Sequence, residues 1–212
     1  MISKFRNAGQ ACVAANRIIV HSAVAEEFTT RFVELTEQLT VGNGFDTGVD
    51  VGPIISARQR DAVVELVDVL HAAGAELLTG GTPLAGDGYF FSPTVFRVPG
   101  RPAALCSREL FAPVATIYEV GSTAEAVEFA NDTRYGLAAY VFTRDLSRAV
   151  AVSERLDFGM VGVNRGIMAD PAAAFGGTKA SGLGREGGHD AIYDYLEPKY
   201  LAVTINEEEG LS

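Results

Sequence analysis

The chain has 212 residues, of which 48% are hydrophobic and 21% charged, so it can bury a core as one large domain or one domain with an appendage. Its net charge of -10 comes from scattered acidic residues without a cluster of Lys or Arg, which argues against a nucleic-acid partner. No apolar run approaches the roughly 20 residues that span a bilayer, and the first residues lead into no signal-peptide core. We therefore expect a soluble cytoplasmic protein.

The first half of the chain predicts two strands and two amphipathic helices. Residues 18–20 are β-branched and indicate a buried strand. A helix follows, with apolar residues at helical spacing: Val24, Phe28, Phe32, Leu35 and Leu39. A second helix ends near Gly74, where glycine suits a C-cap, and its apolar face consists of Val63, Leu66, Val67 and Leu70. Residues 76–78 form a short strand.

The second half alternates strands and helices. We expect strands at residues 89–91, 94–96, 114–118, 138–142 and 160–163. A capping box at residues 122–125 opens one helix, and residues 146–156 form another. This alternation predicts an α/β fold with a largely parallel sheet.

The C-terminal part changes character. A glycine-rich loop at residues 175–188 is followed by a short helix around Ile192 and a last strand at residues 200–205. This strand has no evident partner in the chain, so we expect it to pair with another subunit. We divide the chain into a main domain, residues 1–190, and an arm with an acidic tail, residues 191–212.

The two cysteines, Cys12 and Cys106, lie far apart and lack the Cys/His spacing of a zinc site, so we expect a reducing compartment and no metal. Cys106 is most simply a small buried hydrophobe. Cys12 is flanked by small residues that leave its sulfur open to a substrate. On this pattern alone, such a cysteine is more often inert than catalytic.

Three further motifs each allow two interpretations. Residues 182–187, GLGREG, fit the GxGxxG pattern but follow no hydrophobic strand, which favours a structural loop over a phosphate site. Glu109 and Phe111 precede a strand, where they suit either a nicotinamide ribose and ring or a surface acid and a core phenylalanine. Asn164 either donates hydrogen bonds at a sheet edge or caps a turn.

Four motifs taken together resemble, in order, the C-terminal half of aldehyde dehydrogenases. They are KFRNAGQAC at residues 4–12, ELFAPV at 109–114, NDTRYGL at 131–137 and FGGTKASGLGRE at 175–186. The resemblance covers nearly the whole chain. KFRN at residues 4–7, VNRG at 163–166 and GLGREG followed by YLEPKY at 195–200 are most similar to succinate-semialdehyde dehydrogenases.

This resemblance implies an aldehyde dehydrogenase catalytic domain with a C-terminal strand for oligomerisation. It implies that the Cys12 thiolate attacks an aldehyde, that the Cys12 N–H helps to hold the oxyanion, and that a thioester is hydrolysed after hydride transfer to NAD or NADP. Arg6 matches the position that binds the carboxylate of a semialdehyde. Glu109 and Phe111 match the residues that contact the nicotinamide ribose and ring.

The chain also departs from the family pattern. Ala112 replaces a usual glycine, Ala174 a usual proline, and Ala169 a serine that commonly helps the arginine, which leaves the exact aldehyde open. Ala14 stands where some relatives carry a second cysteine for a redox-switch disulfide.

Family members carry, before the cysteine motif, a Rossmann-type cofactor domain, a glutamate general base and an asparagine of the oxyanion hole. We expect these to be absent from this chain, so that the choice between NAD and NADP is made elsewhere. Full activity would then need a separately encoded N-terminal half. One alternative is an inactive remnant that acts only as an interaction or oligomerisation module, pairing with a full-length relative. Another is a cofactor-free thiol esterase that uses Cys12.

Overall fold

The main sheet has four strands, and it is seen in a computed structural model that describes residues 1–204. The strands are β1 (Ile18–His21), β2 (Glu76–Thr79), β3 (Thr94–Arg97) and β4 (Val114–Val120). Their order is β1-β4-β3-β2, with β1 and β3 parallel to β4 and β2 antiparallel to β3. The predicted α/β class is confirmed, but this sheet is mixed rather than largely parallel, because β2 returns beside β3 in the opposite direction.

Six helices accompany the strands: α1 (Ile2–Phe5), α2 (Ser22–Glu37), α3 (Ala57–Ala72), α4 (Ala103–Cys106), α5 (Thr123–Asn131) and α6 (Leu146–Arg155). The Ser122 hydroxyl accepts a hydrogen bond from the Glu125 N–H, as the capping box at the start of α5 predicts. All four predicted apolar positions of α3 are buried, and Gly74 follows the helix with a φ of 75°. No helix within residues 1–204 is long and apolar enough to cross a membrane.

The buried face of α2 differs from the predicted one. Val24 and Leu35 are 51% and 42% exposed, whereas the buried positions are Ala25, Thr29, Phe32 and Thr36. Three of the four buried positions lie one residue after a predicted position, and Phe32 is common to both sets. The Thr36 hydroxyl donates to the Phe32 carbonyl, so its burial leaves no unpaired polar group.

The core consists of two hydrophobic clusters, one on each face of the main sheet. Phe96 and Tyr118 belong to the cluster that includes α3, whereas their neighbours Val95 and Ile117 belong to the cluster that includes Phe32 of α2. Successive side chains of a strand point to opposite faces, so β3 and β4 contribute side chains to both clusters. Both strands are therefore almost wholly buried, which makes them a rigid support for the loops at their ends.

Four short strands form two further pairs. In chain order they are β5 (Tyr135–Gly136), β6 (Ala138–Val141), β7 (Met160–Val163) and β8 (Thr178–Lys179). β5 pairs with β8 antiparallel, and β6 pairs with β7 parallel. The glycine-rich loop thereby contacts the strand region, and Phe175 and Glu186 form a bridge across its base.

One predicted strand is wrong, and another is not tested by a single chain. Residues 89–91 form no strand, because only Phe91 makes a ladder contact, with Pro83. Residues 200–204 form no strand within the described single chain, and Ile205 lies outside the described residues. The pairing of this segment with another subunit stays a prediction. A short 3-10 helix at Ala191–Tyr195 confirms the helix predicted around Ile192. The division at residue 190 stays a prediction.

Candidate active site

A tight turn after α1 presents the Cys12 loop, which we define as residues 6–16. Asn7, Ala8 and Gly9 have φ values of 54°, 55° and 70°, a left-handed conformation that only glycine adopts readily. The Asn7 side-chain amide donates to the Gln10 carbonyl at 2.8 Å, and the Gln10 N–H donates to the Asn7 carbonyl at 3.0 Å. These local bonds stabilise a turn that leaves Cys12 exposed.

The Cys12 loop packs directly against the segment that carries Glu109 and Phe111. A Cβ on Gly9 would lie 2.1 Å from the Ala112 carbonyl oxygen, so only glycine permits this approach. Asn16 adds a second link, since its side-chain oxygen accepts from the Leu110 N–H at 3.2 Å. Two motifs about a hundred residues apart in sequence are thus joined in space.

Cys12 combines an exposed thiol with a backbone N–H that has no hydrogen-bond partner in the described chain. On the C-terminal side, the Ala15 N–H donates to the Ser3 carbonyl at 2.8 Å, which ties the loop back to α1. A free N–H beside a thiol can donate to an oxygen that develops negative charge on an attacked carbonyl.

Arg6 lines a small cavity together with Ala11 and Val13, the two neighbours of Cys12. The rest of its lining comes from α1, Ala14, Tyr140 and residues 166–169, and Arg6 is the one charged residue among them in the described part of the chain. The cavity volume is about 10 Å³, enough for a single water molecule. A cavity of this size cannot enclose an organic substrate. The described residues therefore form one wall of a site rather than an enclosed chamber.

Tyr140, a residue that the sequence motifs do not single out, bonds to the Cys12 loop. Its hydroxyl donates to the Val13 carbonyl at 2.9 Å. Burial raises the pKa of the Tyr140 phenol, the positive charge of Arg6 lowers it, and a negative charge on Cys12 raises it further. The only sequence signal is a polar tip within the apolar strand β6.

Glu109 and Phe111 are both on the surface, the latter with 37% of its area exposed. The Phe111 carbonyl accepts a hydrogen bond from the Gln59 side chain at 3.2 Å, which fixes the backbone beside the ring. Gln10 holds a further loop, since its side chain donates to the Pro53 carbonyl and accepts from the Ile55 N–H. Sequence reasoning missed both glutamines because each acts on a distant segment.

The other candidate residues make contacts that stabilise the fold. Cys106 is 8% exposed within the core, as predicted. The Asn164 side-chain amide donates to the Thr143 carbonyl and its oxygen accepts from the Thr143 N–H, so it links the ends of β6 and β7, which is the sheet-edge alternative. Arg185 of the GLGREG motif donates to the carbonyls of Gly177, Leu183 and Gly184, as a structural loop requires. Residues 1–204 contain no group of three or more potential metal ligands.

A protein-family model and several known proteins match this chain. A model of the aldehyde dehydrogenase family matches residues 1–201. The chain belongs to the aldehyde dehydrogenase family. It is 44% identical over 203 residues to the succinate-semialdehyde dehydrogenase of Paenarthrobacter nicotinovorans, covering 96% of this chain and 45% of that protein. It is 42% identical over 205 residues to the succinate-semialdehyde dehydrogenase [NADP(+)] of Escherichia coli strain K12, covering 97% of this chain and 42% of that protein.

The solved structures agree with the sequence relatives of this aldehyde dehydrogenase chain. The crystal structure of succinate-semialdehyde dehydrogenase from Burkholderia pseudomallei superposes with a TM-score of 0.91 at 41% identity, covering 96% of this chain and 42% of that one. The chain therefore spans less than half the length of the relatives that it matches. Its fold is that of a part of an aldehyde dehydrogenase.

Proposed function

We propose that this chain is the catalytic part of an NAD(P)-dependent aldehyde dehydrogenase of the succinate-semialdehyde type. The observation that carries the proposal is the Cys12 loop, which exposes a thiol and a free N–H between the Arg6 cavity and the segment with Glu109 and Phe111. Relatives named for succinate semialdehyde support the substrate class.

The proposed reaction begins at the Cys12 sulfur. A thiolate attacks the aldehyde carbonyl, and the Cys12 N–H donates to the oxyanion that forms. Loss of hydride from the former carbonyl carbon leaves a thioester on Cys12. Water then cleaves the C–S bond, giving the carboxylate and returning the thiol, so the aldehyde loses two electrons and gains one oxygen from water.

Arg6 is proposed to bind the carboxylate at the far end of the substrate. It is exposed and charged, and it lines the same cavity as the neighbours of Cys12. A guanidinium can donate two parallel hydrogen bonds to a carboxylate, which fixes both position and orientation. Ala169 adds no hydroxyl to this cavity, and Arg6 is its one charged lining residue within the described chain, so Arg6 is proposed as the main anchor for the anion.

Glu109 and Phe111 are proposed to hold the nicotinamide end of the cofactor. An exposed carboxylate suits ribose hydroxyls, and a partly exposed ring suits the nicotinamide, so the residues present fit the group. When bound, NAD(P) supplies the two-electron oxidant for the thioester-forming step. More than half of the Paenarthrobacter relative has no counterpart here, and we assign the remaining cofactor contacts and the general base for hydrolysis to that part.

The test is a chimera in which this chain replaces the matched 203 residues of the Paenarthrobacter relative, assayed for NAD(P)H formation. We expect Cys12→Ser to lower turnover by at least about 10³-fold. Arg6→Met should raise KM for succinate semialdehyde by about 10- to 100-fold, through loss of charged hydrogen bonds. KM for butanal, which has the same carbon chain without the carboxylate, should change little. A folded chimera with no Cys12-dependent activity would overturn the proposal.

A second candidate is an interaction module that binds a full-length relative. It is favoured by the exposed apolar side chains near the C-terminus, among them Tyr200 and Leu201 at 91% and 75% exposure. Mixing the chain with such a relative and measuring the mass of the complex tests this function. Two unassociated species would exclude it.

A further inference from the structure

Tyr140 connects the Cys12 loop to the paired strands β6 and β7. Its hydroxyl donates to the carbonyl of Val13, the residue that follows Cys12, across 127 positions of sequence. The same side chain lines the cavity that contains Arg6. Tyr140 thus contacts the backbone next to the thiol and the space next to the guanidinium.

The strand pair holds the Tyr140 ring in place. Tyr140 lies opposite Gly162 in the register of β6 and β7. A Cβ on Gly162 would lie 3.2 Å from Tyr140 Cδ1 and 3.2 Å from Met168 Cε, so the ring and the methionine occupy the space that a side chain at Gly162 would take. A hydroxyl presented from packed strands is better fixed than one presented from a loop.

The Cys12 loop has few other attachments on this side. The Ala14 N–H donates to the Ala11 carbonyl within the loop, and the Ala15 N–H donates to Ser3 of α1. The bond from Tyr140 holds the peptide group that directly follows Val13. Because peptide groups are planar, fixing this one restricts the orientation of the residues on either side of it.

We propose that Tyr140 is a positioning residue, whose hydroxyl holds the Cys12 loop so that the thiol faces the anion bound by Arg6. This proposal rests on the roles of Cys12 and Arg6 in the proposed function and deepens them. The opposing influences of Arg6 and Cys12 on the pKa of Tyr140 indicate that both groups lie near the phenol. Burial keeps the phenol protonated and therefore a donor.

The test compares two alkylating reagents on Cys12 of the 212-residue chain. Iodoacetate and iodoacetamide both lose iodide to a thiolate and form a C–S bond, but only iodoacetate carries a carboxylate for Arg6. Peptide mass spectrometry measures the rate of alkylation of Cys12 by each reagent. The iodoacetate rate is divided by the iodoacetamide rate, and this ratio is then divided by the same ratio for N-acetylcysteine. We expect a normalised ratio of about 10 for the parent, and a fall of about threefold or more in Tyr140→Phe, from loss of one hydrogen bond.

Three variants make the result specific. Arg6→Met should bring the normalised ratio to about 1, since the attraction is removed. Tyr118→Phe removes the hydroxyl of a buried tyrosine in β4 and should leave the ratio unchanged. Gly162→Ala should lower the ratio in the same direction as Tyr140→Phe, because its Cβ lies 3.2 Å from the ring and from Met168, so these side chains must shift by a few tenths of an ångström while the hydroxyl is kept. It supplies the answer if Tyr140→Phe does not fold.

Two results would overturn the positioning role. One is a parent ratio equal to that of N-acetylcysteine, and the other is a Tyr140→Phe variant that either keeps the parent ratio or reacts faster with both reagents alike. The reaction uses neither aldehyde nor NAD(P). An inactive chimera together with the expected ratios would therefore contradict the proposed function and leave the Tyr140 contact supported.

Discussion

Lys4, two residues before Arg6, is the least conventional residue of the core. It is 1% exposed, and its Nζ makes no hydrogen bond within residues 1–204. Burial lowers the pKa of Lys4 from 10.5 to about 7, because a charged ammonium is poorly solvated there. Between these pH values the unfolded chain binds more protons than the folded one, so the free energy of unfolding rises with pH from about 7 to 10.5.

Replacing Lys4 by Met should therefore stabilise the protein at neutral and lower pH. Each pH unit of pKa difference corresponds to about 1.4 kcal/mol, so the gain at pH 6 is a few kcal/mol, with an upper bound of about 5 kcal/mol. Urea unfolding at pH 6, 8 and 10 measures it. The difference between variant and parent should shrink as the pH rises, and parallel pH profiles would contradict the burial of an unpaired Lys4.

Gly9 is expected to be the least replaceable residue of the Cys12 loop. Gly9→Ala adds a Cβ 2.1 Å from the Ala112 oxygen at a φ of 70° and should destabilise the protein by more than about 3 kcal/mol. Gly48→Ala is the matched control, since Gly48 has a φ of 83° with open space around it. It should lose only about 1 kcal/mol from backbone strain. Equal losses in thermal unfolding would show that the contact with Ala112 is unimportant.

At the scale of elements, the apolar residues predicted to face the core in α2 are not all buried. Phe32 is 8% exposed and lies 6.0 Å from the Phe5 ring and 5.6 Å from the Phe28 ring, whereas Leu35 is 42% exposed. Phe32→Ala should lower the free energy of unfolding by about 3–5 kcal/mol, and Leu35→Ala by no more than about 0.5 kcal/mol. Both changes introduce alanine into the same helix, so helix propensity largely cancels. If Phe32→Ala and Leu35→Ala lowered the free energy of urea unfolding by similar amounts, Leu35 would belong to the buried face, as the sequence predicts.

The contrast between α2 and α3 shows what local sequence determines. The apolar pattern of α3 predicts its buried face correctly, because the whole face meets the core. In α2, small and hydroxyl-bearing residues face the sheet, and their burial depends on the partner surface rather than on their own hydropathy. The strand wrongly predicted at residues 89–91 has the same cause, since strand formation requires a neighbouring segment in register.

In the candidate site, too, some residues are recognisable from local sequence and others are not. The Cys12 loop and the segment with Glu109 and Phe111 are recognisable as local motifs, and the contact of Gly9 with Ala112 shows that they meet. Tyr140 and Gln59 act through hydrogen bonds to segments far away in sequence, for which no local spacing exists. A single sequence therefore names the candidate site residues and misses those that hold their backbones.

At the scale of the whole molecule, residues 199–204 are exposed and pair with no other part of the described chain. Tyr200, Leu201 and Val203 are 91%, 75% and 67% exposed, and residues 199–204 make no backbone hydrogen bond within the described chain. An apolar stretch with unpaired backbone groups is the kind of edge that a second chain covers. We expect this segment to join subunits, as the arm predicted from the sequence would.

Charged substitutions in the segment should therefore dissociate the assembly without unfolding the subunit. In the double variant Tyr200→Asp and Leu201→Asp, two carboxylates would have to enter an apolar interface, whereas the exposed segment contributes no side chain to the buried core of one subunit. Light scattering after size-exclusion chromatography should give an oligomer for the parent and a monomer for the variant, with unchanged thermal unfolding at low concentration. Phe45→Asp, at a loop residue 98% exposed, is the control and should remain oligomeric. A monomeric parent, or a double variant with the parent's mass, would assign these apolar side chains a role other than subunit contact.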